Sequence, residues 1–236
     1  MKSIVVLPTY NEVENLPQMV ETLLGLDVSR LEVLVVDDGS PDGTGDVAER
    51  LAKEHLGQVH VLHRKGKLGL GSAYLTGFDW ALRHGADYVI QIDCDFSHPP
   101  EKIVELLDKA REYDLVLGSR YVLGGKVDPG WSLWRRALSS WGNLYARLVT
   151  GIKTRDVTGG FKCFTRSALE GLPLTRIRSE GFTFQVEMNY ACKVKGYQVA
   201  EVPFEFVDRT RGQSKMSVGI ILEGIWRVWQ IRFRSY

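Results

Sequence analysis

The chain has 236 residues, 44% of them hydrophobic and 25% charged, which is enough for a sizeable core and excludes a disordered or low-complexity chain. With 30 basic against 29 acidic residues the net charge is +1, so the total gives no long-range pull toward nucleic acid or anionic lipid. The bases gather late, however: from position 209 on, Arg209, Arg211, Lys215, Arg227, Arg232 and Arg234 stand against one acid, Glu223. The cysteines, Cys94, Cys163 and Cys192, have neither metal-finger nor redox spacing, and their odd count fits a reducing compartment such as the cytosol. The first residues run straight into a strand pattern without a signal-peptide core, and no run of about 18 apolar residues offers a membrane span.

The first 120 residues alternate strand and helix signals. Residues 4–7 are a short apolar run, followed by Pro8-Thr9-Tyr10-Asn11-Glu12 and a helical pattern through Leu16, Met19, Val20, Leu23 and Leu24. A second buried strand, 31–36, ends at Asp37-Asp38-Gly39-Ser40, and 44–55 reads as a helix. A strand at 59–62, a helix at 71–83, a strand at 88–92, a helix at 101–113 started by Pro99-Pro100, and a strand at 115–117 follow. This order predicts an α/β fold, a mostly parallel central sheet with helices on both faces, in which ligands bind outside the carboxyl ends of the strands. After Arg120 the pattern loosens, with Gly-rich punctuation. A helix is expected over 131–150 and another through Phe184, Met188, Ala191 and Cys192. A strand is expected at 199–206, which Pro203 places at a sheet edge. One domain, 1–215, with an appended amphipathic segment, 216–236, accounts for the whole.

Four polar clusters fall at the predicted strand ends. The most informative is Asp93-Cys94-Asp95, at the end of an apolar strand. Residues i and i+2 of a strand share a side, so two carboxylates meet there, and a divalent cation would relieve their repulsion. Mg²⁺ and Mn²⁺ prefer such oxygen ligands together with substrate phosphates. Read alone, the same residues make a solvated loop start. Likewise, Asp37–Ser40 makes an acidic turn and Pro8–Glu12 a helix start. The loop from Arg64 to Ala73, with Lys67, Gly69 and Gly71, opens a helix whose backbone N–H groups could meet an anion.

Taken together in this order, these segments resemble the inverting family 2 glycosyltransferases of GT-A fold, over at least residues 4–120. Later motifs narrow the resemblance to polyprenol-phosphate (dolichol-phosphate type) mannose synthases. They are Gly118-Ser119-Arg120-Tyr121, Trp134-Arg135-Arg136, Asp156-x-Thr158-Gly159-Gly160-Phe161, Gly181-Phe182-x-Phe184-Gln185-x-Glu187 and the run from Val202 to Lys215. The resemblance implies transfer of mannose from GDP-mannose to a polyprenyl phosphate, with Mg²⁺ or Mn²⁺ as cofactor. It implies that Pro8, Tyr10, Glu12, Asp37, Asp38, Lys67, Gly69 and Cys94 surround the nucleotide sugar, and that Asp93 and Asp95 bind the metal on its diphosphate. Some relatives add a Gln two positions beyond the second Asp; here, as in other relatives, that position is a serine, Ser97, a weaker ligand. Arg120, Arg135 and Ser139 match positions that receive the lipid phosphate, and Arg209 and Lys215 match a loop that closes over the diphosphate. Asp95, Arg120, Arg135, Arg209 and Lys215 are thereby the expected catalytic set. An acceptor phosphate with a second pKa of about 6 needs no strong base, which suits five histidines without a catalytic pattern.

The resemblance also implies a membrane-resident acceptor and a protein peripheral on the cytosolic face. Relatives carry extra spans, use a small membrane-anchoring subunit, or bind the surface directly. The C-terminal segment, aromatic with interspersed arginines, suits an interfacial helix, and the stretch 131–141 is a second candidate; either could instead pack on the sheet. Three rivals remain. One is a UDP-sugar transferase on the same acceptor, and another a silent nucleotide-binding subunit. The third, a nicotinamide enzyme, is disfavoured because no Gly-x-Gly-x-x-Gly follows the first strand.

Overall fold

A computed structural model describes residues 1–208, 218–234 and 236, with the side chains of 218–223 left aside. The elements run β1 (Ser3–Thr9), α1 (Leu16–Leu24), β2 (Leu31–Asp37), α2 (Thr44–Glu54), β3 (Val59–His63), α3 (Leu70–Arg83), β4 (Tyr88–Gln91), α4 (Lys102–Lys109) and β5 (Leu115–Ser119). Then come α5 (Leu133–Thr150), β6 (Lys162–Thr165), α6 (Arg166–Gly171), α7 (Gly181–Val194), β7 (Val199–Pro203) and α8 (Val218–Phe233).

The sheet order is β3-β2-β1-β4-β6-β5-β7. All pairings are parallel except those of β6, which runs antiparallel to both β4 and β5. Strand β6 is the element the sequence pattern hides: it is four residues long and begins with a lysine. The expected edge position of the Pro203 strand is met, because β7 pairs with β5 alone.

Both faces of the sheet are covered, which is why the strands read as continuous apolar runs rather than alternating ones. Val5, Leu7, Val33 and Val35 point to α1, α2 and α4, burying Met19, Leu51 and Leu106. Ile4, Val6, Leu34 and Val36 point the other way, to Tyr74 and Phe78 of α3 and Phe184 and Met188 of α7. Helix α3 lies so close to β1 that a Cβ on Gly77 would sit 2.3 Å from Val6 Cγ1. A third, smaller core joins Ala146, Val186, Tyr190, Val228 and Ile231, so α8 packs against α5 and α7. Among the described residues no helix is long and apolar enough to cross a membrane.

The chain leaves β1 toward β2 on one side and β4 on the other. The crevice between the carboxyl ends of β1 and β4 is therefore where a parallel sheet of this kind takes ligands.

Candidate active site

At that crevice β1 delivers Pro8 and Thr9, followed by Tyr10 and Glu12, while β4 delivers Asp93, Cys94 and Asp95. With Asp38, Lys67 and Gly69 these residues line a cavity of about 210 Å³. Nine of the positions assigned to the nucleotide sugar are thus brought together around one hollow: Pro8, Tyr10, Glu12, Asp38, Lys67, Gly69, Asp93, Cys94 and Asp95. Lys67 places its ammonium 4.1 Å above the Tyr10 ring. Asp37 does not line the cavity. It is 2% exposed and accepts from the Ser40 hydroxyl at 2.6 Å and from Thr9 Oγ1 at 3.3 Å, which ties the end of β2 to that of β1. Asp38 binds Arg64 Nη1 at 2.5 Å and the Leu68 N–H at 3.1 Å, fixing the loop that carries Lys67.

The anion expected at the start of α3 is supplied by the protein itself. Glu180, far along the chain, accepts from the N–H groups of Gly71 at 2.7 Å and Ser72 at 3.2 Å. Removing it as Glu180→Ala should cost roughly 0.5–1 kcal/mol of stability. It should also weaken nucleotide binding, because the loop bearing Lys67 and Gly69 loses its anchor. Thermal unfolding and nucleotide titration measure the two effects separately.

The acidic pair is held firmly. Asp93 Oδ1 accepts from the hydroxyl of fully buried Tyr74 at 2.7 Å, and Asp95 Oδ1 accepts from the Ser97 N–H at 3.0 Å. Burial and the charge of Asp93 push the Tyr74 phenol well above its usual range, so it stays a donor. Phe96, between Asp95 and Ser97, adopts a φ of +57°, and Asn11, beside Tyr10, a φ of +61°. For a phenylalanine this left-handed backbone is strained, and such strain collects at functional loops. Ser97 is 4% exposed and does not line the cavity. Its hydroxyl turns to His98 Nδ1 at 3.4 Å, so its evident part is to position Asp95 through the backbone. His98, packed at tilted and edge-on angles among Phe161, Phe204 and Phe206, has Nδ1 4.0 Å from Asp93 Oδ2, and burial lowers its pKa.

The donor set is two carboxylates, hard oxygen ligands that fit Mg²⁺ or Mn²⁺. Among the described residues no third His, Cys, Asp or Glu joins a metal-binding cluster, so a diphosphate and water would complete the coordination.

Beside this crevice lies a second cavity of about 260 Å³, bounded by α5, α7 and α8. Its polar edge is Arg120, Arg135 and Ser139, the three positions matched to the lipid phosphate. Its walls are apolar, including Leu138, Phe182, Val186, Ile225 and Val228. Arg120, at the end of β5, donates from Nε and Nη2 to the two carboxylate oxygens of Asp156, both at 2.7 Å, and from Nη2 to Thr158 Oγ1 at 3.1 Å. That leaves Nη1 without a hydrogen-bond partner among the described residues, on a side chain that lines the cavity. Burial works against its charge, but Asp156 more than offsets this, so the guanidinium stays above its usual range and Asp156 below. Arg135 forks onto Asp208, with Nη1 at 2.5 Å and Nη2 at 3.1 Å, and lies 4.2 Å over the Trp131 ring. Ser139 shares a 2.7 Å hydrogen bond with Tyr121. Arg209 and Lys215 lie outside the described residues.

Gly159 and Gly160 lie between Asp93 of the first site and Asp156, the partner of Arg120. A Cβ there would lie 3.5 Å from Asp93 Oδ2 and 3.5 Å from Gln185 Nε2, while one on Gly159 would lie 3.3 Å from Asp156. The sequence reading missed the partners Asp156, Asp208, Tyr74 and Glu180. Only Asp156 left a signal, as the opening residue of a quoted motif.

Residues 4–172 match the family described as glycosyl transferase family 2. The chain is 43% identical to the polyprenol monophosphomannose synthase of Mycolicibacterium smegmatis, over 99% of this chain and 88% of that protein. It is 44% identical to the undecaprenyl-phosphate mannosyltransferase of Micrococcus luteus, over 97% and 93%. Among solved structures it resembles glucosyl-3-phosphoglycerate synthase from Mycobacterium tuberculosis with Mn²⁺, UDP-glucose and phosphoglyceric acid (TM-score 0.68, 18% identity, 98% of this chain and 78% of that one). It also resembles a mannosyltransferase from Pyrobaculum calidifontis with GDP-mannose and Mn²⁺ (TM-score 0.60, 20% identity, 90% and 58%). At these identities the structural likeness establishes the GT-A-like fold.

Proposed function

Because the chain belongs to glycosyl transferase family 2, we propose that it moves mannose from GDP-mannose to a polyprenyl phosphate, with inversion at the sugar carbon. The observation that carries this reading is the adjacency of the two cavities. One offers paired carboxylates and a lysine to a sugar nucleotide. The other offers two arginines at the mouth of an apolar groove, which suits a phosphate on a hydrocarbon chain. The names of the two full-length relatives agree with it.

The nucleotide sugar would lie along β1 and β4, with its diphosphate at Asp93 and Asp95. A bound Mg²⁺ or Mn²⁺ supplies neutralisation of charge on the leaving diphosphate. Arg120 Nη1 and Arg135 would hold the acceptor phosphate, whose oxygen forms the new bond to the anomeric carbon as the bond to GDP breaks on the opposite face. The phosphate is already anionic near neutral pH, so no protein base has to take a proton. His98, its pKa lowered by burial, is suited to packing under Asp93 rather than to that role. Closure of the site by Arg209 and Lys215 remains part of the reading.

Titration with GDP, GDP-mannose and UDP-glucose, with and without Mn²⁺, tests the donor assignment. Metal-dependent binding of the guanine nucleotides is expected. Binding of UDP-glucose alone would replace the donor and keep the site.

The acceptor implies a peripheral protein facing the cytosol on a membrane, with direct surface contact or a small anchoring subunit. Direct contact is favoured by the helices around the apolar groove. Trp134 and Leu148 of α5 and Trp226 and Phe233 of α8 are 74%, 75%, 65% and 77% exposed. The full chain should float with anionic liposomes, and Trp134→Ser with Trp226→Ser should leave most of it in the pellet fraction at unchanged Tm. Equal flotation of the double variant would exclude these faces.

A further inference from the structure

Near Gly160, whose Cβ would lie 3.5 Å from both Asp93 Oδ2 and Gln185 Nε2, lies a buried polar group that the reaction as described does not use. Lys162, on β6, is 0% exposed, and among the described residues no carboxylate is bonded to its ammonium; burial pushes its pKa down to about 7. The ammonium donates to Gln185 Oε1 and, at 3.4 Å, to the Gln185 carbonyl. Gln91, the last residue of β4, donates from Nε2 to the same Oε1 at 2.8 Å.

An ammonium has protons and no acceptor, so it can meet only the oxygen of the Gln185 amide. The flip of that amide is therefore fixed by chemistry. Nε2 points away from Lys162, toward the space left by Gly160, where Asp93 Oδ2 forms the opposite wall. The described residues give Nε2 no acceptor, and although Gln185 as a whole is only 3% exposed, this nitrogen keeps access to solvent. A donor that is fixed in place, unpaired and still reachable is available to a ligand.

The place decides the ligand. Asp93 marks the diphosphate side and Asp156, behind Gly159, marks the arginine side. A group in transit between them passes Gly160. We propose that Gln185 positions the transferred hexose, its Nε2 donating to a sugar hydroxyl, and that Lys162 and Gln91 lock the amide for that task. The assignment rests on the sugar-transfer reading above but not on which nucleotide carries the sugar.

The test compares affinities for a nucleoside diphosphate and for its sugar conjugate. In the wild type the conjugate that binds, GDP-mannose or UDP-glucose, is first identified. Gln185→Leu should keep the affinity for the bare nucleoside diphosphate within about twofold and weaken the sugar conjugate on the order of tenfold, the worth of one hydrogen bond. Lys162→Met should shift the same ratio in the same direction by freeing the amide. Should Gln185→Leu fail to fold over an unpartnered lysine, Gln185→Met with Lys162→Met removes both partners together and keeps the core apolar. A loss confined to the sugar conjugate is the expected result. An unchanged ratio, or equal weakening of both ligands, overturns the assignment. A wild type that binds nucleoside diphosphates but no sugar conjugate would overturn the transfer reading and this one together. A wild type that binds one, with an unchanged ratio in the variants, overturns only this one.

Discussion

Replacing Asp95 by asparagine should lower turnover by at least about 10²–10³-fold, with the fold intact. The side chain is 8% exposed and its Oδ1 receives the Ser97 N–H, a bond that the asparagine oxygen also accepts. The variant therefore removes the charge while keeping that bond. On the proposed reading, what is lost is the second carboxylate for a divalent cation, and with it stabilisation of the leaving diphosphate. Lipid-extractable label from a radioactive sugar nucleotide measures turnover, and a Tm within a few degrees of wild type certifies the fold. Near-normal metal-dependent turnover would show that the Asp93–Asp95 pair is not the metal site.

Arg120→Leu should damage both stability and acceptor use. Asp156 is completely buried and its carboxylate is held by both prongs of Arg120 and by the backbone N–H of residue 120 at 3.0 Å, while the N–H groups of Asp156 and Val157 donate to the side chains of Glu201 and Asn143. Removing the guanidinium leaves a buried charge without its partner, at a cost of about 3–5 kcal/mol. Arg120→Leu with Asp156→Leu should recover much of that stability but not acceptor use, because the double variant still lacks Nη1. The pH dependence has a definite sign. In the wild type the folded pKa of Asp156 lies below its unfolded value, so the pair's contribution is present above that value, about 3.9, and fades as pH falls through the folded pKa. In Arg120→Leu burial, the largest influence, is opposed only by the backbone N–H of residue 120 and by His98, so the carboxyl rises from its wild-type value and acidification should narrow the stability gap between variant and wild type. Denaturant unfolding across pH 4–7 reads this directly, and a gap that widens toward acid would contradict the assignment.

The strands and helices before position 120 are legible because each strand is buried on both faces and each helix repeats its apolar residues at helical spacing. β6 is not, since its burial of Lys162 depends on Gln185, 23 positions away. The carboxylate pair is visible for a local reason: two Asp residues one position apart follow an apolar strand, although β4 ends at Gln91 and a turn, not strand alternation, brings both to the cavity. Its neighbours are set by tertiary contact. Arg120 finds Asp156 across 36 positions, Arg135 finds Asp208 across 73, and Gly71 finds Glu180 across 109. No spacing rule within one segment announces such partners. The same distinction explains Asp37 and Ser97: local sequence puts them near the site, and packing then turns their side chains to structural partners.

The most direct measurement is transfer of labelled sugar to polyprenyl phosphate by the full chain with Mg²⁺ or Mn²⁺, with GDP-mannose and UDP-glucose run in parallel. Lipid-extractable label from GDP-mannose alone, lost in Asp95→Asn, is the expected result. Label from UDP-glucose alone, or from neither donor with membranes present, would contradict mannosyl transfer by this protein.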